Sequence, residues 1–500
     1  MGPVVKGKNG KEHLSIRIDG IESARHAGHL ALFHSVATKL HLQECIDEAC
    51  PSEDGRVANA VLALVYNQLN GRKPLKAIGP WLDESPLGRW MDVSGETLTK
   101  DVLTSALNSI CTVDGELTTR RTLAVQRLTT EAWQGQFGQD PPHYYFYYDI
   151  TKIRYNGSRC PLARNGYGPS ANGRPHMGLG LVTSRGSHFP VMALTIEGSV
   201  NEARTFTDMA EGLKAWDLDA VTLILDRGIM NSKSTRHARS AGFHVLGGLA
   251  EKAQEVKDAM RLWSDEEVER STQVYLRPDE GELYYKAWAG RLFGKEGTIV
   301  QTLDPVRRMK ERGARDRMLY ELRHGAKKAR ARELRRELKG IVVPSRGRKG
   351  WVIDEAAEGE ARKADGRFLL FTTDPRLDPE EVVRAYHQRD EIEKAFRDLK
   401  GKASMSPIRY HLPNHVEPYL TVVCFLAYLE GAAISWMLRK ARREESIDQA
   451  IEILKDIQEI NLVRKGKRIP RWTNLSKKQT ALVKVFGLDD LIHHRFSREV

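Results

Sequence analysis

Cysteine is scarce in this chain of 500 residues. The five present, Cys45, Cys50, Cys111, Cys160 and Cys424, are odd in number and scattered. No CxxC pair or His/Cys cluster argues for structural zinc, and the usage suits a reducing compartment. Negative charge also falls short: 66 Asp and Glu face 78 Lys and Arg, a net charge of +12. Such an excess favours a polyanionic partner, either nucleic acid or a membrane surface, without choosing between them. The opening MGPVVKGKNGKEH lacks the apolar core of a signal peptide, and Lys6 stands where a myristoylation signal would have Ser or Thr. A cytoplasmic location is expected. Long apolar runs are nearly missing, the exception being residues 419–438, YLTVVCFLAYLEGAAISWML. Glu430 and Gly431 interrupt it, and a charge at mid-span is costly in lipid. A buried core helix, not a membrane span, is expected there.

What is present points to chemistry. The chain is 41% hydrophobic and 29% charged, which is ordinary for a soluble globular protein, and its length calls for two or three domains. Residues 379–402, PEEVVRAYHQRDEIEKAFRDLKGK, read as one helix. Asp378 precedes Pro379 as a cap, Glu380 and Glu381 suit the positive end of the dipole, and Gly401 stops the helix. At about 100° per residue, Arg389, Glu393 and Lys400 fall within about 60° of Tyr386. Four polar residues thus share a narrow stripe beside the apolar face of Ile392, Phe396 and Leu399, an arrangement that fits a groove. An ordinary solvated surface would give the same spacing by chance.

Two strand ends weigh against chance. Residues 144–150, YYFYYDI, are aromatic and β-prone, with Asp149 near the end. Residues 220–225, AVTLIL, form a largely apolar run of the kind buried on both faces, and it ends in Asp226 before Arg227 and Gly228 turn the chain. An acid at the tip of a buried strand is costly unless a cation or ligand meets it. Two such aspartates and a helical glutamate would make a cup for a hard divalent ion.

Asp149, Asp226 in a DRG context, and Tyr386-x2-Arg389-x3-Glu393-x6-Lys400 together resemble the DDE transposases of prokaryotic insertion sequences, the family with a Y-x2-R-x3-E-x6-K signature. The resemblance covers roughly residues 140–440. It implies an α/β (α+β) fold, a ribonuclease-H-like mixed sheet flanked by helices and interrupted by a large insertion. It implies two Mg2+ ions, for which Mn2+ can substitute: Asp149 bridging both, Asp226 holding one and Glu393 the other. It implies terminal inverted repeats and target DNA as partners, with cleavage and strand transfer as the reaction and a homodimer in the end complex. Tyr386, Arg389 and Lys400 would follow the DNA backbone, with Arg227 beside them. Lys400 lies about 21 Å along a continuous helix from Tyr386, too far for all of them to touch one phosphate.

Five regions follow. Residues 1–15 are a polar, basic arm, and 1–140 form a helical N-terminal domain that in the resembling family binds the repeat ends. Residues 141–249 begin the catalytic core in the order βββαβαβ, with 177–183 and 188–196 a hairpin and the first and fourth strands neighbours. Residues 250–365 are an insertion, β-rich at its borders. Its middle, 307–339, carries fourteen Lys and Arg against five Asp and Glu, a basic helical arm whose Lys327, Lys328, Arg330 and Arg332 would contact phosphates. Leu319, Leu322, Leu334 and Leu338 give it a thin apolar stripe. Residues 366–440 complete the core, GRFLLFTTD returning as an edge strand. Phe368 stands where some relatives carry a tryptophan. Residues 441–500 form a basic tail for dimerisation or DNA contact. A ribonuclease-H-fold nuclease that does not transpose would leave the signature helix and the insertion unexplained. A domesticated DNA-binding protein would not need all three acids.

Overall fold

The central strands form where the sequence is aromatic or aliphatic without a polar break. The structure, a computed structural model, describes residues 4–6, 12–14, 19–114, 116–138, 144–157, 159–165, 175–199, 202–216, 218, 220–250, 253–270, 273–277, 281–345, 350–389, 405 and 408–492. From the start of the core the elements are β1 (Tyr145–Arg154), β2 (His176–Ser184), β3 (Pro190–Ile196), α1 (Glu202–Lys214), β4 (Thr222–Leu225), α2 (Ser232–Ser240) and β5 (His244–Gly248). There follow β6 (Val274–Arg277), β7 (Gly281–Leu292), β8 (Lys295–Leu303), α3 (Pro305–Arg323), α4 (Lys328–Glu337), β9 (Arg367–Thr372) and α5 (Pro379–His387). The chain divides into two compact units. One comprises Met1–Pro142, Ile150–Val200 and Lys394–Val500, the other His143–Asp149 and Asn201–Glu393.

In the unit of His143–Asp149 and Asn201–Glu393 the strand order is β6-β7-β8-β9-β5-β4-β1. Strand β4 pairs in parallel with β1 and with β5, whereas β9 runs antiparallel to both β5 and β8. All four residues of β4 are buried, as an apolar strand covered on both faces requires. The expectation of an edge strand at GRFLLFTTD is corrected. Strand β9 lies between β5 and β8 with every residue buried. The reason lies in the insertion, whose strands do not form a separate layer. KEGTIVQTL folds as β8 and pairs along the whole of β9, from Thr298 opposite Thr372 to Leu303 opposite Arg367. This strand was not anticipated.

In the other unit the remainder of β1 continues beside β2 and β3. These last two close as the expected hairpin, Leu181 opposite Ala193. Counted along the strands, β5-β4-β1 and then β1-β2-β3 is the ribonuclease-H-like order, and the protein is α/β with a large mixed sheet flanked by helices. Helix Arg120–Phe137 covers β3 through a fully buried Gln126. Its Nε2 donates to Ala193 O (3.0 Å) and Thr421 O (2.8 Å), and its Oε1 accepts from Ala193 N (3.1 Å). A buried amide with its donors and acceptor engaged fixes one register.

Within residues 441–500, the described part, 441–492, packs into the N-terminal helices. Gln458–Arg464 pairs with Gly20–His26 on one side and Lys467–Trp472 on the other, and Ser35 Oγ donates to Phe486 O (3.0 Å). The segment thus completes the fold of the N-terminal helices. Within the expected arm, Val4–Lys6 pairs antiparallel with Glu12–Leu14.

The long apolar segment is helical over Pro413–Lys440, with a wider π turn at Tyr419–Val423. It packs inside its unit, and two acids lie buried on it. Burial pushes the carboxyl of Glu417 up to about 7 and that of Glu430 well above the usual range. Neither carboxyl oxygen of Glu430 has a partner among the described residues. The mid-span charge is therefore absent from the folded state, because a neutral acid is far cheaper to bury. A raised carboxyl pKa contributes stability below the unfolded value and loses it as pH climbs. Between pH 4.5 and 7 the unfolded chain ionises Glu417 while the folded chain resists, a loss of order 3 kcal/mol at 1.36 kcal/mol per pH unit. Thermal melting of the wild type should therefore fall across this window, and Glu417→Gln should flatten the fall. An identical profile in the variant would show that Glu417 ionises freely in the fold.

Candidate active site

Two aspartates meet because two parallel strands are in register. Tyr148 of β1 stands opposite Leu225 of β4. The next residues, Asp149 and Asp226, therefore occupy matching positions on adjacent strands, whose usual spacing is about 4.8 Å. Both are half-buried. Asp149 marks the end of the parallel ladder but not of its strand, which runs on to Arg154. At Asp226 the chain turns. Its carbonyl accepts from Ile229 N (3.0 Å) and Met230 N (2.9 Å), and its Oδ1 accepts from Arg227 N (2.6 Å). Tyrosines on β1 tie down the surroundings. Tyr147 Oη donates to Ala385 O (3.2 Å) on α5, and Tyr148 Oη pairs with Thr205 Oγ1 (3.0 Å) on α1.

Helix α5 starts as its sequence requires, Asp378 Oδ1 accepting from Glu381 N (2.8 Å) with Pro379 in the first turn. Among the described residues it ends at His387, with Gln388 as its cap, short of the anticipated Lys402. Glu393 and Lys400 lie outside the described residues. Of the polar stripe, Tyr386 and Arg389 do share a face. The Arg389 guanidinium lies 5.1 Å from the Tyr386 ring centre, with Nη1 3.5 Å from Tyr386 Oη. Arg389 also forms a close ion pair with Asp226 Oδ1, a contact that spacing along the helix could not reveal. Burial tends to lower the pKa of Arg389, but Tyr386, Asp226 and Asp149 outweigh it and raise it. Burial raises the Tyr386 hydroxyl above its ordinary value.

Gly248, at the end of β5, escaped the sequence reading. A Cβ there would stand 2.3 Å from Tyr386 Oη, so any side chain would displace the tyrosine. Phe368 does not project for base stacking. It is buried in β9, its ring 6.0 Å from Tyr386 and 5.8 Å from His387.

The basic arm folds as α3 and α4 around Leu319, Leu338 and Val342. Lys327, Lys328 and Arg332 are exposed. Arg330 is engaged internally, bound by Glu321 (3.1 Å) and Glu333 (2.8 Å), and Arg315 holds Asp365 with both arms of its guanidinium. Part of the local positive charge is thus consumed by structure.

The chemistry of the two aspartates fits a hard divalent ion: carboxylate oxygens are its preferred donors, and among the described residues the hydrogen bonds to the Asp226 side chain fall on Oδ1. Among the described residues no group of three His, Cys, Asp or Glu is gathered for a metal. The third acid expected from the signature, Glu393, is not among them.

Comparisons with known proteins can now be set beside this geometry. No curated protein matches the chain. Among solved structures, a cryo-EM structure of a piggyBac transposase synaptic complex with hairpin DNA aligns with a TM-score of 0.38 at 10% identity, over 86% of this chain and 79% of that one. Residues 146–429, which carry the paired aspartates and the described part of the signature helix, match the transposase DDE domain. That match spans more than half of the sequence, and the chain belongs to the transposase DDE domain family.

Proposed function

We propose that this protein is the transposase of a prokaryotic insertion sequence, working on DNA in the cytoplasm and pairing as a homodimer across two terminal inverted repeats. The observation that carries the reading is the register that brings Asp149 and Asp226 side by side, with Arg389 closing on one of them. In cut-and-paste transposition the same acids would serve cleavage and strand transfer, which differ only in whether water or a 3′-hydroxyl attacks.

Asp149 and Asp226, with Glu393 as third donor, would hold two Mg2+ ions, or Mn2+ in their place. When bound, the metal supplies a deprotonated nucleophile at neutral pH and neutralises the leaving oxygen. The protein's own residues do the positioning. Arg389 pairs with Asp226 and orients it, and its planar fork is suited to a phosphate at the same place. Tyr386, seated over Gly248, lies against the same guanidinium. Lys400 and Arg227 extend the path of cations along the DNA. Lys327, Lys328 and Arg332 on α4 offer a second set of phosphate contacts.

Asp149→Asn and Asp226→Asn should each fold as the wild type does and lose Mg2+-dependent nicking of repeat-end DNA by at least a hundredfold. Normal cutting by either variant would mean that the acids are misassigned. Replacing Lys327, Lys328 and Arg332 together with Glu should weaken DNA binding and flatten its salt dependence, since each phosphate contact contributes about 0.9 to the slope. A slope equal to that of the wild type would reduce α4 to a solvated helix.

A further inference from the structure

A second polar site lies in the unit that holds the N-terminal helices, apart from the paired aspartates. Helix Arg56–Leu69 ends in a turn at Asn70 to Lys73, and this turn, with Arg409, Tyr410 and Tyr419, surrounds a cavity of about 40 Å³. Three cations, Arg72, Lys73 and Arg409, line it, and no carboxylate is among the described lining residues. Cations gathered around a cavity favour an anion within it.

The turn is built to hold this arrangement. Asn67 clasps it in both directions, its Nδ2 donating to Lys73 O (3.0 Å) and its Oδ1 accepting from Lys73 N (2.8 Å). Arg72 N donates to Asn67 O (2.9 Å), and Arg72 takes the left-handed backbone conformation, φ 57°, that non-glycine residues seldom adopt. Its guanidinium lies 5.6 Å from the Tyr419 ring centre, and Arg409 Nη1 donates to its carbonyl (3.1 Å).

One of the residues lining this cavity carries a buried donor. Gln68 is only 3% exposed, its Oε1 accepts from Tyr419 Oη (3.2 Å), and its Nε2 has no partner among the described residues. Leaving such an amide unpaired is costly, so the site wants an acceptor. Size then selects the ligand. At about 10–15 Å³ for one water, the cavity holds roughly three, enough for a tetrahedral oxyanion and too little for a base.

We infer that this cavity is a single-phosphate site, with Gln68 Nε2, Arg72, Lys73 and Arg409 as its donors, and that it takes a backbone phosphate of bound DNA. This source rests on the transposase reading. A free phosphate presents the same chemistry, so the test must separate the two.

The full chain would be titrated with a fluorescent DNA duplex over a series of salt concentrations, and separately melted with and without inorganic phosphate. Arg409→Gln and Lys73→Gln should each weaken duplex binding roughly tenfold and make the salt slope shallower by about 0.9, the value of one phosphate. Gln68→Leu, which removes a neutral donor, should weaken binding while leaving the slope alone. Unchanged slopes, with wild-type melting raised by inorganic phosphate and that rise lost in Gln68→Leu, would keep the phosphate site but assign it to a free ion. Unchanged slopes with no response to phosphate would overturn the inference. Melting of each variant without ligand identifies one that fails to fold, and the other two still decide. Because nicking depends on Asp149 and Asp226, wild-type nicking alongside a failed pocket test would leave the transposase reading standing.

Discussion

The site depends on one ion pair. Asp226 ends a strand buried on both faces, and a half-buried carboxylate there needs a cation close by. Arg389 supplies it from beyond the end of α5, so one contact fixes both the end of that helix and the tip of the strand. Tyr386 lies against the same guanidinium, and its hydroxyl fits only because position 248 is glycine. Asp149 needs no separate device to reach the site, because the parallel ladder delivers it beside Asp226. A residue that neutralises an acid and can also fork onto a phosphate connects an unliganded site with a loaded one.

How much of this was legible in the sequence follows from how local each signal is. The apolar run ending in Asp226, the aromatic run containing Asp149 and the Asp378-Pro379 cap announce themselves within a few residues. The strand order then follows from the ribonuclease-H-like pattern. The misses are non-local. Lys295–Leu303 alternates weakly, and only its pairing with β9 turns an expected edge into an interior strand. Nothing near residue 460 says that its partner is Gly20–His26, more than 400 residues earlier, and so a folded segment reads as a basic tail. Arg330 looks like any other cation in its run until Glu321 and Glu333 close on it.

The same principle accounts for the long apolar helix. Its composition alone permits a membrane span, and Glu430 is the residue that argues otherwise. The structure resolves the conflict by burying the helix, which raises the carboxyl pKa of both of its acids. Buried carboxyls thus serve opposite ends in the two units. On the core helix burial works against their charge, whereas at the tip of β4 a carboxylate meets a cationic partner, Arg389.

On the reading proposed above, the carboxylate pair is the metal-binding element and Arg389 is its placeholder. Mn2+ binding followed by electron paramagnetic resonance tests this without requiring DNA or turnover. Arg389→Ala should bind Mn2+ at least as tightly as the wild type, because it unmasks Asp226, whereas Asp226→Asn should lose most of that binding. Loss of Mn2+ binding in Arg389→Ala, or its retention in Asp226→Asn, would contradict the account.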